Sequence, residues 1–199
     1  MRGVIGVTGQ IASGKSEICA YLARRYGVSV FDADAVAKTL ATSDPYADRI
    51  REAFPQCRGD RNALRRLVFG ESKARRTLEA ILHPPVLDEA KNHIARAESV
   101  AVLDVPLLYQ SGMDALCDSV WMIEASREAR MKRIVSSRGL APELAERMIA
   151  SQEELRAFRR RADMLMDGNA GLASLFFAVD AAFSAMRSVF DARRKANKR

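Results

Sequence analysis

The chain has 199 residues and a formal net charge of +7, long enough for one domain that buries roughly 70% of the surface its unfolded form would expose. Three well-separated cysteines, Cys19, Cys57 and Cys117, and two histidines, His83 and His93, argue against a disulfide framework and give no metal-ligand cluster, which fits reduced thiols in a cytosol. The last nine residues, DARRKANKR, hold five basic groups against one Asp, so much of the excess charge reads as a solvated, frayed helix end rather than a nucleic-acid footprint.

Val4–Val7 is a short run that reads as a strand, and Glu17 to Tyr26 carries a helical pattern. Between them, Gly9-Gln10-Ile11-Ala12-Ser13-Gly14-Lys15-Ser16 fits the spacing G-x-x-x-x-G-K-S. The two glycines let the backbone curl until several N–H groups converge on phosphate oxygens. Lys15 adds a point charge for the β- and γ-phosphates, and Ser16 offers a hydroxyl to Mg²⁺. The following helix points its positive end at the same anion.

Val28–Phe31 is a second strand, ending in Asp32-Ala33-Asp34 at the edge where open α/β sheets bind ligands. One of these carboxylates caps a helix that begins near Ala35, and two so close to a phosphate site also allow a base for a hydroxyl nucleophile or a metal contact. From Ala35 to Glu98 there is almost no strand signal. Inside that interval His83-Pro84-Pro85 reads as the opening of a helix, with proline in its first turn.

Ser99–Val105 is the clearest buried strand, Ser119–Glu124 a fourth and Met164–Met166 a weak fifth. Asp104 ends the third, where a carboxylate holds Mg²⁺ directly or through water or is simply a satisfied strand-end group. A polar, arginine-rich helical stretch runs from Arg138 to Arg161. Of Arg130, Arg133, Arg138, Arg156, Arg159, Arg160 and Arg161, most are solvated. One or two are expected to bring positive charge over a transferring phosphoryl group on a mobile flap, with Arg138, beside Gly139, the leading candidate.

Strands alternating with helices imply βαβ crossovers and a parallel sheet covered on both faces. The helical stretches are insertions over the ligand edge. The apolar run near the N-terminus is broken by Gly6, Thr8 and Gly9, too short for a signal segment, and no stretch reads as the ~20 apolar residues of a membrane span. A cytoplasmic protein without a membrane partner is the expectation.

In order along the chain, GVTGQIASGKS, VFDADAVAKTL, RNALRRLVF, LEAILHPPV, VLDVPLLYQSGMD and RADMLMDGNAG resemble the dephospho-coenzyme A kinases, from Val4 to about Gly171. The resemblance implies an α/β fold, a P-loop kinase core with a parallel β-sheet flanked by helices. In one domain, the core covers about 1–37, 98–137 and 162–199, a helical acceptor-binding insertion about 38–97, and a helical lid about 138–161. It implies ATP-dependent phosphorylation of the 3′-hydroxyl of dephospho-CoA, the last step of coenzyme A synthesis, with Mg²⁺. A monomer or weak homo-oligomer is the expectation.

Carried over residue by residue, Asp34 is the base, Lys15 and Arg138 act on the transferring group, and Gly9, Ile11, Ala12, Ser13, Gly14, Lys15, Ser16, Glu17 and Asn169 bind the nucleotide. Asp32, Asp34, His83, Pro106 and Leu107 fall in the acceptor region, and Ser16 and Asp104 at the metal. Three positions depart from the pattern. Glu17 puts a negative charge where a small hydroxyl residue usually stands, Gln110 replaces a Glu after P-L-L-aromatic, and DGNAG replaces D-N-x-G. A nucleoside or nucleotide kinase on the same core, or a non-enzymatic P-loop switch, would share the first motif. The placement of Asp34 favours a hydroxyl acceptor, and no N-K-x-D stretch marks a guanine switch.

Overall fold

In the computed structural model residues 3–196 are described, with the side chains of Arg138, Asp191 and residues 193–196 excepted. The Arg138 guanidinium and the last three residues of the basic tail therefore lie outside the described residues.

The chain begins with β1 (Gly3–Gly9), α1 (Lys15–Tyr26) and β2 (Ser29–Asp32), continues through α2 (Ala33–Leu40), α3 (Tyr46–Ala53), α4 (Arg61–Gly70) and α5 (Ser72–Arg96), and returns to β3 (Val100–Asp104). It closes with β4 (Ser119–Glu124), α6 (Arg127–Arg138), α7 (Pro142–Ala150), β5 (Met164–Asp167) and α8 (Leu172–Ala196). The sheet is five-stranded in the order β2-β3-β1-β4-β5. β1 runs parallel to β3 and β4, and β4 parallel to β5.

All seven residues of β1 are buried, as expected of a central strand covered on both faces. Asp118 fixes its start: its carboxylate accepts the Val4 N–H at 2.9 Å, and its own N–H donates to the Val4 carbonyl at 2.9 Å. The strand's C-terminal end, where the phosphate loop begins, is thereby set against the neighbouring strands.

Two compact units emerge, residues 32–92 and the remainder. In the larger, Ile5, Val7, Ile18, Leu22, Trp121 and Ile123 form a core with Leu175, Val179, Ala182 and Phe183 of α8. That helix corrects one expectation: Leu172–Phe190 is long and apolar enough by composition to cross a membrane, with a mean hydropathy of 1.4. Its composition has a local cause. One face supplies core side chains, and the exposed face carries Ala173, Ala178, Ala181 and Ala185, so apolar residues occur all round the helix.

The smaller unit is helical, with Ile50, Phe54, Cys57, Ala74, Ile81 and Leu82 at its centre. Here the reading of His83-Pro84-Pro85 as a helix start fails, because both prolines lie inside the 25-residue α5. Interior proline removes a backbone hydrogen bond and costs about 3 kcal/mol or more. Burial of Ile81, Leu82, Pro85 and Val86 across the same turns, at roughly 1.5–3 kcal/mol for a large aliphatic side chain, outweighs that cost. α2 also starts earlier than expected, at Ala33, because Asp32 is its N-cap.

Candidate active site

The phosphate loop spans the end of β1 and the start of α1. A Cβ at Gly9 would lie 2.3 Å from the Ile123 carbonyl oxygen, so only glycine lets β1 leave the sheet this close to β4. Ala12 and Gly14 then take positive φ of 58° and 114°, and the chain curls into the helix.

No side chain caps α1. The Glu17 and Ile18 N–H groups return to the Gly14 carbonyl at 3.2 and 3.3 Å, while those of Gly14, Lys15 and Ser16 have no partner among the described residues. Such orphan donors, with the helix dipole behind them, constitute an anion site. Lys15 is half-buried beside them, and Ser16 and Glu17 are exposed in the same first turn. The Ser13 hydroxyl is buried with no partner among the described residues.

The outer side of the loop is held by residues far along the chain. Gln152 accepts the Ile11 N–H on its Oε1 at 2.5 Å, and its carbonyl accepts from Gln10 Nε2 at 3.1 Å. Arg133 donates from Nη1 to the carbonyls of Ala12 and Ser13. Ile11 and Ala12 also pack on Ile134, Ala145 and Ile149, so α6 and α7 rest on the loop.

Asp104 is the partner of Val7 in the β1–β3 register, which puts its half-buried carboxylate at the sheet edge from which the loop emerges. Pro106, next but one, accepts from the Thr8 hydroxyl at 3.0 Å, and Leu107 is half-buried. Beyond them Tyr109 stacks on Phe158 and lies under the Arg161 guanidinium, which pairs with Asp114. Gln110 is exposed.

Among the described residues no three His, Cys, Asp or Glu gather as a metal cluster. Mg²⁺ bound through substrate phosphates and water needs only one or two protein oxygens. A hydroxyl at the helix start and a carboxylate on the adjacent strand end are donors of the right kind.

A cleft of about 560 Å³ opens beside the loop, lined by Gln10, Glu124, Ser126, Arg159, Asp167 and Asn169 among others. Asn169 braces its wall: its Oδ1 accepts the Ser126 N–H at 2.8 Å, and its backbone and side-chain N–H groups both reach Asp167 Oδ1. Arg159 pairs with Glu124 at 2.8 Å. Arg130 is fully buried and pairs with Glu153. Burial pushes its pKa down against the pull of Glu153.

The structure thus brings Gly9, Ile11, Ala12, Ser13, Gly14, Lys15, Ser16, Glu17, Asp104, Pro106, Leu107 and Asn169 onto one unit. Asp32, Asp34 and His83 belong to the other. There Asp32 Oδ1 accepts the Ala35 N–H at 2.9 Å, Asp34 is exposed in the first turn of α2, and His83 is half-buried within α5. Gln152 has no counterpart among the sequence expectations, and Gly168 enters them only as part of DGNAG. Gln152 follows a helix end with no motif to mark it, whereas the Asp-Gly dipeptide at 167–168 does signal a turn.

Comparison with known proteins agrees with this architecture. The family model described as Dephospho-CoA kinase matches residues 3–174. A curated Dephospho-CoA kinase of Symbiobacterium thermophilum is 40% identical over 193 residues, covering 92% of this chain and 80% of its own. The crystal structure of TT1252 from Thermus thermophilus superposes with a TM-score of 0.78 at 30% identity, covering 92% of this chain and 97% of that one. Shikimate kinase from Acinetobacter baumannii, at 16% identity and TM-score 0.57 over 96% of this chain and 95% of that one, shares the fold. A P-loop kinase core and a relationship that runs from β1 into α8 lead to one conclusion: the chain belongs to the dephospho-CoA kinase family.

Proposed function

We propose that this protein transfers the γ-phosphoryl group of ATP to the 3′-hydroxyl of dephospho-CoA, giving coenzyme A and ADP, the final step of coenzyme A synthesis. The observation that carries the reading is the uncapped start of α1, whose N–H groups, unpartnered among the described residues and flanked by Lys15 and Ser16, suit a phosphate in a chain of this family.

In the reaction a 3′-oxygen–phosphorus bond forms, the bond between the γ-phosphorus and the β,γ-bridging oxygen breaks, and the hydroxyl proton passes to a base. Asp34 is that base in our reading, and Asp32 orients the turn through its cap on α2. Gly9 and Gly14 shape the loop, the backbone N–H groups of Gly14, Lys15 and Ser16 face the phosphates, and Ile11, Ala12, Ser13 and Glu17 complete the loop around them. Lys15 and Arg138 stabilise charge that develops on the transferring group.

Mg²⁺, when bound, neutralises phosphate charge and is held by Ser16 and Asp104. Asn169 supports the nucleotide side of the cleft. His83, Pro106 and Leu107 contact the acceptor. Cys19, Cys57 and Cys117, none of them in a disulfide among the described residues, suit a cytoplasmic location.

The test is purified protein with Mg-ATP and dephospho-CoA, run beside adenosine, AMP and pantetheine, with product mass as readout. A gain of one phosphate on dephospho-CoA is expected. Phosphorylation of adenosine or AMP instead would replace this reading with a nucleoside or nucleotide kinase.

A further inference from the structure

The Arg133 guanidinium touches three backbone carbonyls at once. Its Nη1 donates to Ala12 at 2.9 Å and to Ser13 at 3.2 Å, and its Nη2 donates to Gly168. Gly168 closes on the same point. Its N–H donates to the Glu124 carbonyl at 2.7 Å, and a Cβ there would stand 2.1 Å from the Ser13 carbonyl oxygen. The Ser13 carbonyl is thus wedged between an arginine of α6 and a glycine of the β5–α8 turn.

This matters for the phosphates because a trans peptide is planar, with its C=O and N–H pointing in opposite directions. The Ala12–Ser13 peptide is committed at both ends, to Arg133 and, through the Ser13 N–H, to the Gln10 carbonyl at 3.1 Å. In the Ser13–Gly14 peptide only the carbonyl is held. Its N–H, on Gly14, is therefore aimed away from Arg133 and has no partner among the described residues. Gly14 at φ +114° has no Cβ to resist rotation, so the residue that permits the loop also permits this peptide to flip. A flipped peptide would turn a carbonyl oxygen toward the anion.

We propose that Arg133 is a positioning residue for the phosphate loop, holding the Ser13–Gly14 peptide, against Gly168, in the orientation that presents the Gly14 N–H to the nucleotide's phosphates. The role rests on the kinase reading above and deepens it. Arg133 acts on the phosphate through the loop backbone.

The experiment measures binding of Mg-pyrophosphate and of adenosine by calorimetry, together with steady-state kinetics, for wild type, Arg133→Met, Arg133→Lys and Gly168→Ala. Charge-assisted hydrogen bonds of this kind translate into about a 10- to 100-fold change in affinity. Arg133→Met and Gly168→Ala are expected to weaken pyrophosphate by that amount and to raise the KM for ATP. In Arg133→Met, adenosine affinity and the KM for dephospho-CoA stay within about twofold.

Arg133→Lys, with one ammonium in place of a fork, falls between wild type and Arg133→Met. It carries the test alone if Arg133→Met does not fold: wild-type pyrophosphate affinity in that variant overturns the proposal. Equal losses for pyrophosphate and adenosine in Arg133→Met would overturn it too. Because pyrophosphate binding needs no acceptor, wild-type protein that binds it yet leaves dephospho-CoA unmodified would sink the kinase reading while the role of Arg133 is still measured.

Discussion

The Tyr26 hydroxyl donates to Asp180 Oδ1 at 2.7 Å, and the Tyr21 hydroxyl reaches the same carboxylate at 2.9 Å. Tyr21 also stacks on Phe176 and Tyr26 on Phe183, each with ring centroids 4.0 Å apart. Two phenols of or near the last turns of α1 are thereby tied to one acid on α8, joining the helix behind the phosphate loop to the helix behind the cleft.

The pair gives stability a pH signature. Burial, then the Asp180 hydrogen bond, push the Tyr26 phenol up to about 12 from 10, so its contribution is complete below pH 10 and is lost as pH rises from 10 toward 12. The Asp180 carboxyl is held below its usual 3.8, chiefly by the Tyr26 hydroxyl, so its share is present above that pH and disappears on acidification. Thermal melts of wild type and Tyr26→Phe should differ by a constant amount between pH 6 and 9 and converge at both extremes. A gap that widens above pH 10 would contradict the assignment.

Lys15→Ala should remove most turnover while leaving the melting temperature without nucleotide nearly unchanged, since Lys15 is half-buried and makes no ion pair among the described residues. Initial-rate assays and ligand-free melts check both halves. Wild-type-like turnover would remove the residue from the phosphate site.

Asp34→Asn should lower turnover with dephospho-CoA by about 10²–10⁴-fold, the usual span of general-base catalysis, and leave ATP binding in place. Its neighbour is the internal control. Asp32 caps α2, so Asp32→Asn, which keeps a capping side chain, should cost about 1 kcal/mol or less and only modest rate. If Asp32→Asn stops the reaction and Asp34→Asn does not, the roles are reversed.

Asp104→Asn and Ser16→Ala should each raise the Mg²⁺ concentration needed for half-maximal rate, because each is proposed above to supply an oxygen to the ion or its waters. The check is a metal titration at saturating ATP. An unchanged titration for Asp104→Asn would leave that carboxylate as a strand-end group alone.

The strands, the phosphate loop and α1 were legible in the sequence because their determinants are local: a β-branched run, glycines at positive φ, and a lysine and serine at fixed spacing. β4 spans the Ser119–Glu124 that the sequence marks, since a run this short, with Val, Trp and Ile, favours a strand over a helix. α5 was not. Proline is a strong local stop, and only burial of Ile81, Leu82, Pro85 and Val86, which depends on the rest of the fold, carries the helix through it. The same holds for the shell around the loop. Spacing identified Lys15 and Ser16, but nothing local links Ala12 to Arg133, 121 positions away, or Ile11 to Gln152, 141 positions away. These contacts exist only once α6, α7 and the sheet have packed, because a backbone carbonyl has no sequence signature and its partner is chosen by geometry alone.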